Sequence, residues 1–147
     1  MIGRLVQAAD FQRLLAAPQR QRSAHFAVHY VRGEPVVRKP AAACAGPEEL
    51  STGCEPSCPE LVDDTPSGCW LGCVVPKRHA RRSVTRNVLK RQIRAAMARH
   101  ESRLPRGLWV VRLRNPFVVA KFPSADSTAL RAAARAELEQ LLQRAAA

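Results

Sequence analysis

Residues Val74–Met97 read VVPKRHARRSVTRNVLKRQIRAAM. The stretch opens on the end of an apolar strand and turns at Pro76 through a basic loop. It then continues as a long helical segment, roughly Ser83 to His100. Lys77, Arg78, Arg81, Arg82, Arg86, Lys90, Arg91 and Arg94 give it eight bases, and no acidic residue occurs from Thr65 to His100. At about 100° per residue the helix sorts its side chains into two halves. Ser83, Arg86, Asn87, Lys90, Arg91 and Arg94 share one half, and Val84, Thr85, Val88, Leu89, Ile93 and Ala96 share the other. A solvated face mixes Glu with Lys, because opposite charges at i,i+4 are stabilising. Here Arg82, Arg86, Lys90 and Arg94 repeat the same sign one turn apart, which costs stability unless a polyanion neutralises them. A phosphate backbone does so, and Arg and Asn add planar donors for sugar and base edges. The competing reading is a basic face that is merely solvated.

Working outward from this helix, apolar strands flank it on both sides: Trp70–Val75 (WLGCVV) before and Leu108–Leu113 (LWVVRL) after. Upstream, His25–Arg32 (HFAVHYVR) alternates as a strand with Phe26, Val28 and Tyr30 on one face, and Val36–Val37 suggests a short return strand. Asp10–Ala17 spaces Phe11, Leu14 and Leu15 as a helix that Pro18 stops. Downstream of Pro123, Ser124 or Ser127 is placed to cap a last helix with Leu130, Ala134, Leu138 and Leu141 on one face. The expected fold is α+β: one small domain spanning 1–147, a mixed sheet of about four strands, three helices and no internal repeat.

The charge is unevenly spread. The chain has 24 Lys and Arg against 12 Asp and Glu, a net +12, and a protein this basic points to nucleic acid or, second, an anionic membrane surface. Residues 40–68 hold six of the acids (Glu48, Glu49, Glu55, Glu60, Asp63, Asp64), five prolines and no base, which leaves the rest of the chain at +18. An acidic, Pro-rich stretch buries too little to offset the ordering of its backbone, so 40–68 reads as a disordered insert. The first ten residues lack the apolar segment of a signal peptide, and no apolar run is long enough to span a membrane. With five cysteines, an odd number, the expectation is reduced thiols and a cytoplasmic location.

The segment quoted first resembles the signature of the bacterial ribonuclease P protein component. Lys77 and Arg78 match that family's basic pair, and Arg86, Asn87, Lys90, Arg91 and Arg94 match its helix pattern R-N-x-x-K-R-x-x-R. Gly72 matches a glycine of the preceding strand, and DFQRLL resembles the family's first helix with Phe11 in place. The likeness covers roughly 8–39 and 69–144. Val88, Ala95, Leu15 and His29 depart from residues common in the family, and the acidic insert has no counterpart there. The resemblance implies a ribosomal-protein-like fold with a left-handed β-α-β crossover, against the right-handed rule. It implies a necessary but non-catalytic subunit of a tRNA-processing endonuclease. In such a subunit the basic residues, Arg81 and Arg82 with them, bind a catalytic RNA that itself holds most of the Mg2+. It also implies a cleft between first helix and sheet for the single-stranded 5′ leader of precursor tRNA. Phe11, Arg13, Phe26, His29 and Tyr30 are the residues assigned to it, since aromatic stacking with cationic rims grips single strands.

Catalysis by the chain alone requires clustered carboxylates for metal ions. Outside 40–68 only Asp10, Glu34, Glu101, Asp126, Glu137 and Glu139 remain, with no pair beside the basic face. His79 suits a phosphate contact or a turn better than acid–base work. Cys54-x3-Cys58 and Cys69-x3-Cys73 have zinc-ligand spacing, but four strand residues separate the second pair by about 13 Å. No catalytic or metal-binding residue is therefore assigned, and no small-molecule substrate or membrane partner is expected. The alternative function is a ribosomal or general RNA-binding protein of similar fold. A helix-turn-helix DNA reader fits less well, because a strand and a basic turn precede the helix.

Overall fold

Two near-continuous apolar runs, Cys69–Val74 and Gly107–Leu113, form the centre of the sheet, and the long segment between them is the crossover that parallel strands require. The computed structural model describes residues 1–36, 66–118, 120–124 and 127–147. In chain order these form β1 (Ile2–Arg4), α1 (Ala8–Ala16), β2 (Gln19–Arg22), β3 (Phe26–Val31), β4 (Cys69–Val74), α2 (Ser83–His100), β5 (Gly107–Leu113) and α3 (Thr128–Ala146). The sheet runs β1-β4-β5-β3-β2. β1, β4 and β5 are parallel, whereas β3 is antiparallel to both β5 and β2. The α+β class and the three helices are as expected, and the sheet has five strands among the described residues rather than about four.

Alternation decides what each face of the sheet meets. Leu71, Trp109, Val111, Leu113, Phe26 and Val28 point toward α2 and α3, where Leu89, Ile93, Met97, Leu138, Leu141 and Leu142 complete the larger core. Leu108 and Val110 point the other way and pack with Leu5 and Leu14 beneath α1. α1 ends where Ala17 turns extended ahead of Pro18. Ser127 begins α3, its hydroxyl accepting from the Leu130 N–H at 3.1 Å. Gly107 starts β5 at φ +142°, and a Cβ there would stand 2.8 Å from the Val31 carbonyl oxygen, so only glycine fits. Among the described residues no helix is long and apolar enough to cross a membrane.

Three expectations change. β1 has only three residues, and β2 (QRQR) has no apolar residue at all; it is an edge strand paired through its backbone, with a bulge between Gln19 and Gln21. Val36 is not in a strand: its N–H donates to both oxygens of the buried Asp10 carboxylate, at 3.1 and 3.2 Å. Val37 lies outside the described residues, as do 40–65 of the expected insert with Cys44, Cys54 and Cys58. The insert's last three residues belong to the folded body. Pro66 is buried, Ser67 donates its N–H and hydroxyl to Glu34, and the Gly68 carbonyl accepts from Gly107 N–H at 2.9 Å. Cys69 and Cys73 are free thiols of β4.

The Glu137 carboxylate ties α3 to the start of β3, accepting from the Ser23 hydroxyl and the His25 N–H and bonding the His25 ring. Burial raises its pKa, but these hydrogen bonds outweigh burial and hold it below the ordinary 4.5. A depressed carboxylate stabilises the fold above its ordinary pKa, and the contribution is lost as pH falls through the folded value.

Two predictions follow from these contacts. Glu137→Gln should cost about 1–2 kcal/mol near pH 7, and thermal unfolding should show the gap to wild type closing as pH falls below the ordinary carboxylate value of 4.5. Replacing residues 40–65 with a short Gly-Ser linker should leave Tm unchanged, since loop length costs little. Extending the deletion through Gly68 should lower Tm by removing the Glu34 and Gly107 contacts.

Candidate nucleic-acid interface

The basic loop is a hydrogen-bonded turn: the Pro76 carbonyl accepts from the N–H groups of His79 and Ala80 at 3.1 and 3.2 Å. Ala80 is buried and pins the loop to the core, which leaves Lys77, Arg78, Arg81 and Arg82 exposed around it. Arg86 fixes the same loop from α2. Its guanidinium donates to the Ala80 carbonyl at 2.9 Å and the Arg81 carbonyl at 2.8 Å. Arg86 is thus half-buried and partly committed to structure, where the sequence pattern alone read it as wholly surface-directed. The Arg78 Nε donates to His79 Nε2 at 3.1 Å. Desolvation, then the charges of Arg78 and Arg112, lower the His79 pKa from its ordinary 6.5, which favours the neutral form of this turn histidine.

α2 divides as its sequence requires. Val88, Leu89, Ile93, Ala96, Met97 and His100 are buried, while Ser83, Asn87, Arg91 and Arg94 are exposed and Lys90 is half-buried. Val84 departs from its assigned apolar half at 49% exposure. Among the described residues, none of the eight bases from Lys77 to Arg94 is ion-paired with a carboxylate.

The five residues assigned to the leader cleft split between the two faces of the sheet. Phe11, Arg13 and His29 lie on the α1 side. The Phe11 ring lies directly over Gly72: a Cβ there would meet it at 2.5 Å and the Val110 side chain at 2.9 Å, so this strand position has room only for hydrogen. Phe11 remains half-buried and Arg13 is exposed beside Gly33. His29 is buried below the end of α1, its Nδ1 3.1 Å from the Ala17 carbonyl oxygen, and its buried Nε2 has no partner among the described residues. Phe26 and Tyr30 must be removed from the cleft. Phe26 is fully buried in the core against α2 and α3. Tyr30, on the same alternation, packs on Trp109 and donates its hydroxyl to the Arg106 carbonyl at 2.8 Å. Period-two alternation puts 26, 28 and 30 on the face the long helices cover.

Two cations missing from the sequence reading complete the surface. Arg4 on β1 is drawn beside α2 by the β1–β4 pairing and acts with Lys90 and Arg94 on the Cys73 thiol, whose pKa burial nonetheless raises. These three cations share one small pocket with Phe11, so the basic helix and the α1 groove form one continuous surface. Arg112 lies on the α1 face opposite Val74 and acts on His79. The alternation of LWVVRL, read with Trp109 inward, assigns Arg112 to that face; Arg4 carries no comparable signal.

Fold and surface together define a small α+β fold that presents a cationic helix face. The family model described as Ribonuclease P matches residues 3–146, and the chain belongs to the ribonuclease P family. It is similar to the ribonuclease P protein components of Bordetella parapertussis (45% identical over 78 residues, 53% of this chain) and Paraburkholderia xenovorans (40% over 78 residues, 52%). The chain spans 59% and 55% of the lengths of these two curated relatives. The solved structure of the Staphylococcus aureus RNase P protein shares the fold. It matches with a TM-score of 0.58 at 21% identity, over 97% of this chain and 94% of that one.

Arg91→Ala and Arg94→Ala should each weaken binding to a bacterial ribonuclease P RNA and lower the slope of log affinity against log salt by about 0.7–1, with no change in Tm. Arg86→Ala should weaken binding and also lower Tm, because the Ala80 and Arg81 carbonyls lose their donor.

Proposed function

We propose that the chain is the protein subunit of ribonuclease P, acting in the cytoplasm on precursor tRNA. Lys77, Arg78, Arg81, Arg82, Arg86, Asn87, Lys90, Arg91 and Arg94 bind the catalytic RNA, with Arg4 and Arg112 extending that surface. The groove at Phe11 and Arg13, with His29 in its wall, receives the single-stranded 5′ leader, and the RNA cleaves the phosphodiester bond. The observation that carries this reading is the cationic face of α2, without a carboxylate partner among the described residues, running into the Phe11 pocket. A structured RNA and a single strand emerging from it would be held side by side on such a surface.

The chemistry is assigned to the RNA because carboxylates among the described residues are engaged elsewhere. Asp10 accepts from Val36, Glu34 from Ser67, and Glu137 and Glu139 bond His25 and His100. No group of three or more His, Cys, Asp or Glu among the described residues is placed to hold a metal ion. The described residues do not fit a magnesium site, and the proposal leaves Mg2+ with the RNA. The protein's contribution is then electrostatic: its cations neutralise phosphates that free ions must otherwise screen.

Reconstitution with a bacterial ribonuclease P RNA and a leader-bearing precursor tRNA tests the reading. Added protein should lower the magnesium concentration needed for cleavage. Failure to stimulate over RNA alone at any magnesium concentration would overturn the proposal. Copurification with ribosomal RNA in place of one structured RNA would favour the ribosomal alternative.

A further inference from the structure

Beyond the helix face and the α1 groove, the domain has a third cationic feature. A cavity of about 440 Å³ opens between the basic loop, the first turns of α2 and the segment joining β5 to α3. That volume is in the range of ligand-sized pockets. Its two walls differ in kind. One is cationic, formed by Arg78, Arg81 and Arg82; the other is apolar and aromatic, with Phe117 and Phe122 flanked by prolines. Among the described residues no carboxylate lines it.

The aromatic wall is braced from behind. Phe117 stacks on His25 with ring centroids 4.1 Å apart and planes 7° from parallel, and also packs against Phe26 of the core. Phe122 meets Phe117 edge-on at 5.7 Å. That T-shaped contact uses the edge of one ring and leaves ring faces available. Phe122 is itself only half-buried, between exposed Lys121 and Pro123. The cationic wall is held by the two Arg86 hydrogen bonds that fix the loop carbonyls, so its arginines are carried on a rigid turn.

We infer that this cavity takes one unpaired nucleotide of the RNA bound along α2, with its base against Phe122 and its phosphate among Arg78, Arg81 and Arg82. A nucleotide joins a flat apolar face to a fixed negative charge, and the cavity opposes an aromatic wall to a cationic one. Every base has such a face, so the pocket selects unstacked nucleotides over paired ones rather than one sequence over another. A duplex backbone alone uses the arginines and leaves Phe122 idle. The inference rests on the RNA-binding reading above, because the pocket's cationic wall continues the α2 surface.

The test is equilibrium binding of the full chain to a bacterial ribonuclease P RNA across a salt series, with non-cognate structured RNA as control. Loss of one base stack should weaken binding about tenfold. Phe122→Ala should show that loss with an unchanged salt slope, since no cation is removed. Phe122→Tyr should restore wild-type affinity, whereas Phe122→Leu, which keeps apolar packing without a ring, should not. Ultraviolet irradiation of the complex formed with 4-thiouridine-substituted RNA should crosslink a nucleotide to the peptide carrying Phe117 and Phe122. Wild-type affinity in Phe122→Ala or Phe122→Leu would overturn the pocket while leaving the RNA-binding function standing. A wild-type chain that binds cognate and control RNA equally would instead overturn the functional reading, and the pocket with it.

Discussion

The burial of one side of α2 is the constraint on which the rest of the molecule depends. Leu89, Ile93 and Met97 are fully buried against α3 and the sheet, and each contributes about 1.5–3 kcal/mol relative to an exposed side chain. Like charges one turn apart on the opposite side cost only a few tenths of a kcal/mol per pair. The apolar side therefore decides, and it holds Arg82, Arg86, Lys90 and Arg94 in a line that their mutual repulsion alone would not choose. A solvated helix of this composition would be marginal; a packed one becomes a rigid rod of charge.

That rod is joined to the rest of the surface by two close approaches. Gly72 lets the Phe11 ring settle onto β4, and the β1–β4 pairing swings Arg4 alongside Lys90 and Arg94. Neither contact is local in sequence, and both depend on parallel strands at the centre of the sheet. The crossover that makes β4 and β5 parallel is α2 itself, so the element that carries the charge also sets the topology that assembles its surroundings.

Much of this was legible in the residues. α2 follows from a 3.6-residue pattern long enough to be unambiguous, β4 and β5 from compact apolar runs, and the α3 start was narrowed to Ser124 or Ser127, of which Ser127 is the cap. The losses have physical reasons. β2 is an edge strand held by backbone pairing, and Gln-Arg-Gln-Arg carries no burial pattern to read. The alternation in β3 showed that Phe26, Val28 and Tyr30 share a face, yet which face meets α1 is settled only by packing, and two cleft residues were misplaced on that account. Arg86 matched a surface pattern, but nothing in its spacing signals that two loop carbonyls lie within reach. The span 40–68 was bounded by charge and proline content, and those cannot register that Ser67 is tied to Glu34.

The distribution of ion pairs along α2 carries the reasoning one step further. At its C-terminal end Arg99 and His100 both meet Glu139 of α3, so that end is neutralised within the protein. The N-terminal part has no such partner among the described residues, its first turn has no acid, and its N-cap is Arg82 with no side-chain hydrogen bond to the cap. The helix dipole makes this the less favourable end for cations, by about 0.3–1 kcal/mol each where exposed. A fold selected for stability alone would place acids in the first turn of α2 and bases in its last. Here the last turn obeys that preference and the first violates it, while Asp10, Glu34 and Glu137 are spent on internal contacts at α1, the Ser67 segment and α3. The violation is confined to the surface where the basic loop, α2 and the Phe11 groove meet. An added polyanion would remove the repulsion there, at the end of the helix whose dipole favours a negative charge.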